Sequence, residues 1–140
     1  MRFLSFHVDY FWYKVSQRGR SEFADEITDE NKEGRVENAF VMFTSMEKHD
    51  ETNPDIVEKI VAEIEKITSQ LKVKVIVINP FAHLFGELSS LEFAMQALKD
   101  IEEKLKGKGY SVLRIPFGWF NEIEMHAKGH PLSRIARIIE

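Results

Sequence analysis

The 140-residue chain contains no cysteine, which rules out disulfides and thiolate-bound zinc within it and fits a reducing compartment. It holds only four prolines and seven glycines, so each marks a specific break in regular structure. Positive charge is not in excess: 19 lysines and arginines face 23 acidic residues, for a net charge of −4. A surface that coats nucleic acid nonspecifically is thereby disfavoured, although a local positive patch on one face is not. No stretch nears the roughly 20 apolar residues of a membrane-spanning helix. Met1-Arg2-Phe3 runs directly into patterned sequence without a small-residue cleavage site, so the expected location is the cytoplasm. A glycine-rich phosphate loop, a Gly-x-Ser-x-Gly elbow and a zinc-protease helix motif are all missing.

What is present is enough for one domain, 1–140, with a real core: 44% of the residues are hydrophobic, and no repeat or low-complexity segment divides them. Phe3 to Val15, rich in aromatic and β-branched side chains, predicts one long strand or two broken near Asp9. Ser16 to Arg35 carries charges, Gly19, Gly34 and little periodicity, which predicts a surface excursion, mobile or rimming a site. Ala39 to Ser45 alternates and predicts a strand, closed by the charged Glu47-Lys48-His49-Asp50. Asn53-Pro54-Asp55 opens a helix, with Ile56, Ile60 and Ile64 on its apolar face beside Val57, Val61 and Ile67.

A second helix opens at Ser89-Ser90-Leu91-Glu92, which has capping-box spacing. It continues through Ala94, Met95, Leu98, Ile101 and Leu105 until Gly107 and Gly109 stop it. Tyr110 to Ile115 predicts a strand and Pro116-Phe117-Gly118 a turn. From Asn121 to Lys128, Glu122, Glu124, His126 and Lys128 alternate with Ile123, Met125 and Ala127, the pattern of a half-solvated strand on an outer face or at a partner interface. Leu132 to Ile139 forms a short final element. Strands interleaved with two main helices predict an α/β domain with a helix-covered sheet.

The most deliberate placement of a titratable group is Pro80-Phe81-Ala82-His83-Leu84, directly behind the apolar run Val73 to Ile78. That run predicts a buried strand, and Pro80 stops it because proline supplies no ladder donor. His83 then stands at a strand's carboxyl end, where α/β folds open their ligand crevice. A turn histidine hydrogen-bonded to backbone and chemically idle is the competing reading. His126 and His130 have the i, i+4 interval of helical metal ligands, but the strand alternation and Gly129-His130-Pro131 put them on no common helical face, so no metal site is expected. Trp119-Phe120 either stacks on an unpaired base or packs in the core.

Two proline-aromatic turns, Pro80-Phe81-Ala82-His83 and Pro116-Phe117-Gly118, follow strands expected to lie side by side. Together with Phe6-His7-Val8-Asp9-Tyr10, the Asn53-Pro54 helix start and Lys128-Gly129-His130-Pro131-Leu132, they make the whole chain resemble the N-terminal editing domain of archaeal threonyl-tRNA synthetases. The resemblance implies a D-aminoacyl-tRNA deacylase-like fold, a homodimer, and hydrolysis of serine wrongly esterified to threonine tRNA. The implied partners are the 3′ end of that tRNA and a synthetase catalytic module in cis or in trans; no cofactor is implied in this domain.

Position by position, the resemblance makes His83 the reader of the serine side chain and gives the Ala82 backbone a hold on the aminoacyl group. It puts Pro80, Phe117 and Gly118 around the terminal adenosine, with Met46 at a main-chain contact to that nucleotide and Ala94 as a small pocket wall. Phe120 and Asn121 also fall at the site. Some relatives carry tyrosine, lysine and an acid where this chain has Phe120, Asn121 and Arg134, so no side-chain acid or base carries over there. His83 is the one side-chain candidate for catalysis. Otherwise the resemblance implies that the free 2′-hydroxyl of the terminal ribose assists the attacking water. A broader D-aminoacyl-tRNA deacylase and a non-catalytic tRNA-binding or dimerisation module are the alternatives.

Overall fold

The computed structural model describes all 140 residues. Strands β1 (Arg2–Arg18), β2 (Glu33–Ser45), β3 (Val75–Pro80), β4 (Ser111–Arg114), β5 (Trp119–Ala127) and β6 (Arg134–Ile138) form one sheet, with helices α1 (Ile56–Leu71) and α2 (Leu91–Gly107) as its main cover. The order is β4-β3-β2-β1-β5, and β6 pairs with β1 as well. β2, β3 and β4 are mutually parallel, whereas β1 is antiparallel to β2, β5 and β6. The α/β domain with two helices on one sheet is therefore the observed architecture.

β1 is one strand, and it organises the rest. Its first residues, Arg2 to Phe6, pair with β6, and Val8 to Arg18 pair with β5 along the same edge. The break foreseen near Asp9 is a register shift between Val8 and Tyr10 relative to β5, with a second between Val15 and Gln17. Such bulges bend a strand and increase its twist without ending it. The excursion foreseen over Ser16 to Arg35 is shorter: β1 continues to Arg18 and β2 begins at Glu33. Tyr13 pairs with Gly34 and Trp12 with Arg35, so cross-strand contacts carry a segment whose own periodicity is poor.

Alternation in β2 and β3 divides the core. Phe40, Met42, Ile76 and Ile78 face α1 and α2 in the larger cluster, where Ile60, Ile64, Leu98, Ile101 and Leu105 meet them. Val41, Phe43 and Val77 point the other way, into a smaller cluster with Val8, Phe11 and Tyr13. α1 begins after a 3-10 turn over Lys48–Thr52. Asn53 does accept a backbone N–H, that of Asp55 at 3.1 Å, one step before the helix proper. Glu47 and Asp50, foreseen as a charged strand end, are buried: Asp50 accepts from the Met1 ammonium and from the Glu47 amide, each at 2.7 Å. α2 is capped by Ser90, whose hydroxyl accepts from the Phe93 amide at 3.2 Å. The Ser89–Glu92 spacing is not the cap, because Ser89 lies one residue too early.

Candidate functional site

The ends of β3 and β4 lie side by side, Ile78 opposite Arg114, so the turns after Pro80 and after Ile115 border one crevice. Two adjoining cavities fill it. The first, about 210 Å³, lies between the ends of β2 and β3 and the start of α2, bounded by Met46, Pro80, Ala82, Ala94, Phe117 and Gly118 among others. The second, about 380 Å³, lies on the opposite side of the sheet's end and includes His83, Phe120 and Asn121. Ser21, Pro80, Phe81, Ala82 and Gly118 line both. All nine residues expected at the site from the resemblance are thus brought together.

His83 is exposed, on a segment braced at both ends. The Phe81 amide donates to the Thr44 carbonyl at 2.8 Å, and the Ser89 amide donates to Met46 at 3.1 Å. Between them, Arg2 donates to the Leu84 carbonyl at 3.2 Å and to Glu47 at 2.8 Å. Burial pushes the Glu47 carboxyl up, but hydrogen bonding to Arg2 and the nearby chain amine outweigh it and hold it below the usual range. Gly86 is needed here, because a Cβ would come within 2.8 Å of the Glu47 carboxylate. The His83 ring meets Phe81 edge-to-face at 5.5 Å, and Phe81 meets Phe43 in the same way at 5.6 Å.

The opposite wall is held by a residue that pattern reading missed. Asp25 accepts from the Phe117 amide and from the Arg114 guanidinium, both at 2.8 Å. Its own amide donates to the Phe117 carbonyl at 2.9 Å, and Trp119 Nε1 donates to its carbonyl at 2.8 Å. Burial drives the Asp25 carboxyl up, yet the Phe117 amide and Arg114 prevail and keep it below its ordinary value. The same segment passes so close to the turn that a Cβ on Gly118, at φ +84°, would sit 2.5 Å from the Phe23 carbonyl oxygen. No local signal marks Asp25, since its partner amide lies 92 positions away.

Trp119 is half-buried on Asp25, and Phe120 is 59% exposed at the rim of the second cavity, so the pair is not simply core. Arg134 lies on β6 opposite Phe6 and borders neither cavity. His126 and His130 diverge: His126 bonds Asp9 at 2.6 Å, whereas His130 bonds His7 at 2.9 Å. The buried Ser45 hydroxyl, on a residue bordering the first cavity, has no hydrogen-bond partner. Asn79, also absent from the expected set, is buried in the lining of the second. A sequence signal was available for it, as the one polar residue between the apolar run and Pro80.

Backbone groups, small side chains and aromatic walls meet at the carboxyl ends of parallel strands, the place where α/β domains open a ligand crevice. The chain belongs to the Archaea-specific editing domain family of threonyl-tRNA synthetase, which it matches over residues 1–139. It is 46% identical over 140 residues to the threonine–tRNA ligase of Thermococcus kodakarensis, covering 99% of this chain and 22% of that protein. The ligase of Methanobrevibacter smithii is 45% identical, with 99% and 23% covered, and that of Methanocaldococcus jannaschii 43%, with 99% and 22%. The chain therefore spans under a quarter of the length of these relatives. A solved structure of c-Myc DNA Unwinding Element Binding Protein superposes with a TM-score of 0.66 over 99% of this chain and 98% of that one. At 13% identity, that likeness speaks to the fold alone.

Proposed function

We propose that this editing domain hydrolyses the ester bond of L-seryl-tRNA(Thr), releasing serine and free tRNA. The observation that carries the reading is the pair of adjoining cavities, whose linings contain every residue expected at the site. The terminal adenosine occupies the first cavity, between Pro80 and Phe117 with Met46 at its edge. The aminoacyl group crosses the shared wall at Ala82 and Gly118 into the second cavity, towards His83. Threonine exceeds serine by one methyl group, and an enclosed pocket disfavours such an excess by roughly 1–3 kcal/mol. A synthetic site faces the harder converse problem, because serine fits wherever threonine fits.

Ester hydrolysis needs a positioned water, a proton acceptor and donors for the developing oxyanion. The crevice offers backbone amides and orientation but no carboxylate–histidine pair, and the family resemblance supplies the missing group: the 2′-hydroxyl of the terminal ribose assists the water. The tRNA acts as substrate and part of the catalyst, with no cofactor held by this domain, and a threonyl-tRNA synthetase catalytic module, in cis or in trans, supplies the mischarged tRNA. A symmetric homodimer completes the assembly, supported by β5, an edge strand with Ile123 and Phe120 exposed; a monomeric mass by light scattering would remove it.

The test is deacylation of seryl- and threonyl-tRNA(Thr) by this chain, with 3′-linked serine on 2′-deoxyadenosine-ended tRNA as a second substrate. Seryl-tRNA should be hydrolysed in preference to threonyl-tRNA, and the 2′-deoxy substrate should bind but turn over far more slowly. His83→Ala should weaken turnover or serine selection with the fold intact, because the side chain lies outside the core. Rapid turnover of the 2′-deoxy substrate, with none in His83→Ala, would make the histidine the base instead. Hydrolysis of D-aminoacyl esters at the seryl rate would favour the broader deacylase, and no hydrolysis at all the binding module.

A further inference from the structure

Within β3, Val75, Val77 and Asn79 alternate with Ile76, Ile78 and Pro80. Val77 belongs to the smaller cluster, on the face away from the helices. Asn79 is the next residue on that face, opposite Phe43, where packed core gives way to the second cavity. It is only 5% exposed. Its carboxamide has no hydrogen-bond partner in the chain and is not sealed off, so it opens onto the cavity. A polar group set there against packed core calls for a reason. Valine or isoleucine would continue the β-branched strand.

The surroundings narrow what completes it. Phe43, Phe81 and Phe120 offer no acceptor, the indole N–H of Trp119 is already given to Asp25, the Ser21 hydroxyl is given to Phe23, and His83 and Asn121 in the same lining make no hydrogen bond to it. An asparagine carries an acceptor oxygen and two donor hydrogens and no charge. At the base of an aromatic-walled cavity, that combination suits a small neutral group that both donates and accepts, which is what a hydroxyl does. We propose that Asn79 is a specificity-determining residue: its carboxamide hydrogen-bonds the hydroxyl of the aminoacyl side chain from within the cavity while His83 approaches from the rim. This rests on the function proposed above and adds a second discrimination to it. Shape at the shared wall rejects the extra methyl of threonine, and Asn79 rejects residues without a hydroxyl, such as alanine, because they leave it unpaired.

Binding separates the two ideas. Adenosine bearing serine or alanine through a stable 3′-amide is titrated into the full chain and into Asn79→Leu by calorimetry, with adenosine alone as a control. Wild type should bind the seryl analogue at least tenfold more tightly than the alanyl one. Asn79→Leu should lose that ratio, keep its affinity for adenosine, and melt close to wild type, since no hydrogen bond within the chain is removed. Asn79→Gln, which keeps the carboxamide but moves it, should retain part of the ratio and serves if the leucine variant does not fold. A seryl-to-alanyl ratio unchanged in a folded variant would overturn the role of Asn79. Preferential seryl binding without hydrolysis of seryl-tRNA would overturn the hydrolase reading while leaving Asn79 in place.

Discussion

The two cavities at the strand ends share a wall and differ in what they are made of. The one beside α2 has no ionisable side chain in its lining: Leu91, Ala94, Leu98, Pro80 and Phe117 shape it, and polarity comes from backbone and a few hydroxyls. The other mixes aromatic rings with Arg20, His83, Asn79 and Asn121. The first is suited to hold a flat, largely apolar group by shape, and the second to question a small polar one. Their common wall, Ala82 on one side and Gly118 on the other, is where an ester joining the two groups would lie. On the proposed function, recognition by shape and recognition by hydrogen bonds belong to opposite faces of one sheet, with the reacting bond where the faces meet.

Breaking the shared wall should erase the contrast altogether. In Gly118→Val the side chain meets the Phe23 carbonyl and Ala24, and the left-handed conformation costs roughly 1–3 kcal/mol in its own right. Binding at both cavities and deacylation should be lost, with a clearly lowered melting temperature. A variant that melts and turns over like wild type would show that segment 19–25 is not seated on this turn.

Filling one cavity sharpens the comparison. Ala94→Leu puts an isobutyl group into the first cavity from the α2 side, where the wall is small and half-exposed. Adenosine affinity should fall at least tenfold while stability changes by less than about 1 kcal/mol. The seryl-to-alanyl preference should be retained in whatever binding remains. Loss of that preference with adenosine binding unchanged would reverse the assignment of the two cavities.

A smaller and pH-dependent effect is expected at the clamp. Asp25→Asn keeps the shape but removes the charge from two hydrogen bonds, which should cost roughly 1–3 kcal/mol near neutral pH. The folded-state pKa of Asp25 is lowered, so its contribution is full above the ordinary carboxylate value and fades as pH falls through the folded one. Urea melts of both proteins should differ by a constant amount at neutral pH and converge below about pH 4. A gap that persists unchanged into strong acid would show that the carboxylate charge is not what holds the wall.

Much of the scaffold was legible locally. The faces of α1 and α2 follow from isoleucine and leucine spacing, and β3 from the apolar run that ends at Ile78, two residues before Pro80. The residues that line the cavities were found through resemblance, and the histidine also through its position behind a buried strand. The clamp was not legible. Ser16 to Arg35 read as an excursion because charged and polar side chains give no period, yet Asp25 and Trp119 seat part of that segment against the turn. The exposure of Phe120 was equally hidden, since an aromatic pair looks the same in sequence whether it fills a core or rims a cavity.

What the sequence determined by itself were features whose energy is local: helical and strand periodicity, a proline that ends a ladder, and a histidine three residues past Pro80. What the tertiary structure decided were features whose energy comes from distant partners. β1 shares one edge between β5 and β6, Asp25 binds an amide 92 positions away, and Asn79 opens onto the second cavity without a partner in the chain. Periodicity records which face of an element is apolar. It does not record which element covers that face, or which polar group is left facing a cavity when the sheet is assembled, because those depend on contacts that exist only once the chain has folded.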